Sequence, residues 1–120
     1  MKPCAVTLLL LGLLTLPARA EPAATGRYDA QLCVTLGTTA PNCGPADAQV
    51  LRGNRVLVRI SDIVYRLQLH SSQADVVLMH GAMQIDGFVA DYAWAAGPAL
   101  EFVDADKQTR YELRLATPPR

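Results

Sequence analysis

Apolar and polar residues alternate strictly over short runs of this chain, and that two-residue period is the signature of half-buried β-strands. Between Thr109 and Leu115, Tyr111, Leu113 and Leu115 oppose Arg110, Glu112 and Arg114. Tyr28, Leu32, Val34 and Leu36 share one parity, with Cys33 on the other face. Val56, Val58 and Ile60 share another, as do Ile63, Tyr65, Leu67 and Leu69, and Leu100 and Phe102 oppose Glu101. The parity switches across Ser61-Asp62, so a tight turn or bulge is expected there: a straight strand would turn every later side chain over. Val76 to Met79 is continuously apolar and reads as a central strand covered on both faces.

Residues 83–95 fit two periods. Ile85, Phe88, Val89 and Tyr92 fall at helical spacing, whereas Phe88, Ala90, Tyr92 and Trp94 share a strand face. The strand is preferred, because the segment is aromatic and an interior Gly87 costs a helix about 1 kcal/mol; the same glycine allows a bulge after Ile85. Turn residues at Asn54, Ser71-Ser72, Gly81, Ala96-Gly97-Pro98 and Asp104-Ala105-Asp106 separate the runs. The expected fold is all-β, a small antiparallel barrel or sandwich of about seven strands with its edges closed or covered.

The N-terminus carries an export signature. Lys2 precedes an apolar run from Ala5 to Leu16, and Pro17 and Ala18-Arg19-Ala20 follow it. The run is short for a transmembrane helix, and small residues stand where signal peptidase reads, which predicts a signal peptide over 1–20 cleaved after Ala20. Cys4 precedes the apolar run instead of following it, so it does not fit a lipid anchor. Residues 21–26 read as a flexible leader, 27–116 as one β-domain and 117–120 as a tail. Cys33 and Cys43 then remain alone in an oxidising compartment, periplasmic or secreted, and one intramolecular disulfide is expected. Their C-x9-C spacing is neither a redox pair nor a zinc knuckle.

Composition narrows the function classes. Of 120 residues, 51% are hydrophobic and 18% charged, which rules down general disorder. Eleven basic against eleven acidic residues, or 9 against 11 after loss of Lys2 and Arg19, supply no field for nucleic acid. No stable membrane insertion is expected once the signal is removed.

Three residue groups bear on function. Met79-His80-Gly81-Ala82-Met83 with His70 offers thioether and imidazole ligands suited to Cu(I), although Met79 also suits a core and His80-Gly81 a turn. Phe88, Tyr92 and Trp94 form an aromatic row that either fills the core or meets a partner. Asp86 and Asp91, or Asp104 and Asp106, are the carboxylate pairs available for acid–base work, but neither comes with a nucleophile or histidine at suggestive spacing. Asp104-Ala105-Asp106-Lys107 reads as a hairpin turn. Arg55 and Arg59 share a strand face with Leu57, and Arg66 follows on the next strand, a modest cationic stripe able to meet an acidic envelope polymer or protein.

The reading that results is an exported, non-enzymatic binding or inhibitor-like β-module for an unidentified envelope or extracellular partner, with no organic cofactor. The alternative is a soft-metal (copper) carrier using His70, Met79, His80 and Met83.

Overall fold

The parity switch at Ser61-Asp62 is a two-residue hairpin: Ile60 pairs with Ile63 across it, and Ser61 takes a positive φ of 53°. The turn reverses the chain, so the residues on either side keep the same inner face. The computed structural model describes residues 20–120, and the signal peptide read over 1–20 lies, Ala20 apart, outside the described residues.

Eight antiparallel strands follow in chain order: β1 (Gly26–Leu36), β2 (Asn42–Leu51), β3 (Arg55–Ile60), β4 (Ile63–Leu69), β5 (Gln73–His80), β6 (Met83–Ala95), β7 (Ala99–Asp104) and β8 (Thr109–Leu115). Each pairs with the next, and β8 returns to β1 to close a barrel. The alternating residues of each strand point inward, and at eight strands the interior is just wide enough for side chains to fill. Val58, Ala74, Leu100, Phe102 and Leu113 are fully buried there, joined by Tyr28, Leu32, Val56, Leu67 and Val76.

Segment 83–95 is strand throughout. Leu78 pairs with Asp86 but Met79 pairs with Gln84, which leaves Ile85 as the extra residue of a bulge. Asp86 thereby joins Leu78 on the inner face. β5 differs from the expected strand covered on both faces: Ala74 and Val76 are buried inside, whereas Val77 and Met79 are only half-buried on the outer wall. A single-layer barrel has no second sheet to cover that wall.

The strand that alternation did not reveal is β2. Its first half, Asn42-Cys43-Gly44-Pro45-Ala46-Asp47, consists of residues that strands usually avoid, and pairing with β1 overrides that preference. The Cys33–Cys43 disulfide joins directly opposed residues of β1 and β2, with Cα atoms 4.0 Å apart. It therefore staples a strand to its neighbour.

One end of the barrel carries the 52–54, 70–72 and 96–98 turns together with residues 20–25 and the 116–120 tail. Here Ala23 of the leader packs against the core, and the Tyr28 hydroxyl donates to the Ala24 carbonyl. The tail is also held, with the Arg120 amide donating to the Arg27 carbonyl at 2.7 Å and its guanidinium meeting Asp29 and Asp47. The opposite end carries the 37–41, 61–62, 81–82 and 105–108 turns, and its interior lining is left uncovered.

Candidate functional site

The Met/His group divides between the two ends. His70 opens the β4–β5 turn, His80 closes β5, and a strand of eight residues between them spans roughly 23 Å. His70 is engaged locally: its Nε2 lies 3.0 Å from Asp75 Oδ2, and its carbonyl accepts from the Tyr92 hydroxyl. His80 and Met83 are cross-strand partners and both exposed, but Met79 belongs to the opposite face of β5. Sequence proximity thus becomes one pair of side chains with two outliers. Among the described residues, no three of His, Cys, Asp and Glu come together in a metal-ligating group.

Phe88, Tyr92 and Trp94 do share a face, and it is the inner one, where all three are half-buried against the core. The interior of a small barrel needs large side chains to fill it, so the surface these strands present outward is made by other residues. Asp86 and Asp91 face opposite sides: Asp86 is turned inward, and Asp91 accepts a hydrogen bond from Gln73 on the outer wall.

The outer wall of β3–β6 carries a patch of a different kind. Register aligns Leu57, Arg66, Val77 and Gly87 in one row, and Arg59, Val64, Met79 and Gln84 in the next. Leu57, Val64, Val77 and Met79 are half-buried by one another, and beyond them Ile85 and Val89 stand 49% and 56% exposed. Gly87 leaves its place in the row without a side chain. Arg66 stands within this patch between Leu57 and Val77, Arg59 lies at its β3 edge beside Val64, both are exposed, and no carboxylate among the described residues lies within 4.0 Å of either. With Ser61, Asp62 and His80 they edge an open groove of about 520 Å3. The wall given by β7, β8 and β1 is polar, with Glu112 paired to Arg114, whereas the Asp29–Arg120–Asp47 group adjoins the patch, Asp47 lying directly opposite Arg59 across β2 and β3. The sequence signal for the patch was present in the Arg55/Arg59/Arg66 stripe; its apolar half was hidden because Val77 and Met79 read as core.

The uncovered end of the barrel forms a mouth lined by rings and charges. Tyr111 lies stacked between Phe102, at 4.6 Å and 8°, and Phe88, at 5.9 Å and 15°, with the Tyr65 ring edge-on at 5.8 Å. Lys107, on the β7–β8 turn, pairs with Asp86 and places its ammonium 5.9 Å above the Phe88 ring centre. Asp104 lies beneath, its side chain 3% exposed, with Oδ2 4.0 Å from the same ammonium. Oδ1 accepts a long bond from the Lys107 amide at 3.4 Å, whereas Oδ2 has no hydrogen-bond partner among the described residues. The Lys107 hydrogen bond and the Gly87 amide hold the Asp86 carboxyl below its usual range, and Asp86 in turn raises the lysine. Burial, reinforced by Tyr65, Asp104 and Asp86, pushes the Tyr111 phenol up to about 12, and burial alone raises Tyr65.

Comparison of the chain with protein-family models, with curated sequences and with solved structures gave no match. The chemistry of these two sites is therefore read from their own geometry. Neither brings a nucleophile to a general base. One is an apolar wall with free guanidinium groups, and the other is an aromatic and carboxylate mouth.

Proposed function

We propose that this chain is an exported binding module that holds a protein partner against the outer wall of β3–β6. The observation that carries the reading is an outer wall on which Leu57, Val64, Val77 and Met79 are interleaved with Arg59 and Arg66, neither of which meets a carboxylate within 4.0 Å among the described residues. Contiguous apolar surface rimmed by polar groups is characteristic of protein contacts, and Met and Arg are enriched in their centres. Because the barrel is closed, it has no free strand edge, and a partner must engage side chains instead of extending the sheet. The complementary surface is apolar and carries two carboxylates among its apolar groups, able to take each guanidinium in a two-point hydrogen bond.

The Cys33–Cys43 bridge is consistent with an oxidising compartment. Together with the apolar leader and the Ala18-Arg19-Ala20 cleavage signature, it supports action in the periplasm or outside the cell.

A photo-reactive residue at Val77 tests the reading in the exporting cell, with the same probe at Glu101 as control. A discrete adduct at Val77 that is absent at Glu101, and lost on R59E/R66E, is the expected result. Equal labelling at both positions, or no adduct, rejects this wall as the binding face.

A further inference from the structure

We propose that the mouth of the barrel is a recognition site for a primary alkylammonium group, which Lys107 fills as an internal surrogate in the free chain. This site is separate from the β3–β6 wall and does not depend on it. The fit is visible in the present occupant. The Lys107 ammonium lies between Asp86 and Asp104, with the Phe88 face at cation–π distance. Two carboxylates against one ammonium leave an excess negative charge. They also leave Asp104 Oδ2 without a donor, although that side chain is almost wholly buried and directed toward the ammonium position. A buried carboxyl oxygen normally finds a partner, and leaving one unmade is costly.

Lys107 does not satisfy both acids at once. It arises from the turn that also holds Asp104, and its hydrogen bond goes to Asp86 while Oδ2 stays 4.0 Å away. An ammonium arriving from outside on a free methylene stem has no such tether. It can take a position between the two carboxylates, donate to both and lay its stem along the Phe88 and Tyr111 rings, which stack 5.9 Å apart. Lys107 must then swing out, and the exposure of its side chain, 54%, leaves it room to do so. The shared chemistry belongs equally to a free diamine and to a lysine side chain of a protein.

Titration of cadaverine, and separately of a peptide with one lysine, into isotope-labelled protein tests the proposal by NMR. The expected result is saturable movement of the Gly87 and Lys107 amide signals, since these amides donate to Asp86 and Asp104. K107M, which removes the tethered competitor, is expected to bind about tenfold tighter. K107Q serves the same purpose if K107M does not fold. D104N is expected to abolish binding while remaining folded. Preference for the peptide marks a protein lysine as the source, and preference for cadaverine marks a free amine. The proposal is overturned if neither ligand moves these signals in the lysine variant, if sodium chloride at equal ionic strength moves them as far, or if D104N binds as well as the parent.

Discussion

Asp104 Oδ2 and Lys107 Nζ stand 4.0 Å apart across the β7–β8 turn, close enough to attract and too far to hydrogen-bond. A carboxyl group kept in that condition is a cost to the fold. Asp104→Asn removes the unpartnered negative charge and keeps an oxygen for the Lys107 amide, so it is expected to stabilise the protein by about 1 kcal/mol, or a melting rise of about 5 °C. Thermal unfolding followed by circular dichroism checks it. A lower melting temperature would mean that Lys107 already compensates the charge.

Replacing Cys33 and Cys43 together by alanine removes the restraint on the unfolded β1–β2 segment. The expected loss is about 2.7 kcal/mol in the chain-entropy model. Urea denaturation should show it as a lower midpoint, and reduction of the parent protein should reproduce the same shift.

Tyr111 gives the stability curve its alkaline limb. Its folded pKa is raised to about 12 from 10.0, so its contribution is complete below pH 10 and is lost as pH rises through 12, because the unfolded chain releases the proton first. Absorbance of the phenolates near 295 nm, read against pH, should show one ring titrating last, and Tyr111→Phe should remove that step and flatten the limb.

Neighbouring residues on β5 should respond oppositely to the same change. Val76 is 1% exposed inside the barrel and Val77 is half-buried on its outer wall. Val77→Lys is expected to stay within about 0.5 kcal/mol of the parent while removing the adduct of a second photo-reactive residue placed at Val64, whereas Val76→Lys buries an unpaired charge and should prevent folding. Circular dichroism of the two purified variants separates them.

The strands legible in the sequence are those whose outward residues are charged or strongly polar, as β8 with Arg110, Glu112 and Arg114. β2 was not legible, because Gly44, Pro45 and Asp47 carry turn chemistry locally and become strand only through pairing with β1. The outer apolar wall was concealed for a related reason: Val77 and Met79 continue the hydrophobic run of Val76 and Leu78, and a sequence does not say that the second face is uncovered.

The mouth was the hardest part to read. Asp104 and Lys107 do form the expected turn, with Gln108 donating to the Ala105 carbonyl at 3.2 Å, so nothing in the local pattern asked for a second role. Asp86 reaches them only because the Ile85 bulge turns it inward, and β6 meets the β7–β8 turn from a sequence distance of 21 residues. The aromatic row, by contrast, was correctly placed on one face; alternation fixes which residues share a side but not which side looks to solvent.

The pairing of β8 with β1 also brings beginning and end of the folded chain to one place, where the Arg120 amide meets the Arg27 carbonyl. A linker of a few residues could join them, and the chain could then be cut anew at the 105–108 turn with the ring of strands retained. Cargo or a surface tether attached beyond Arg120 would leave from the pole opposite Asp104, like a bulb held by its base, with the mouth directed away from the attachment.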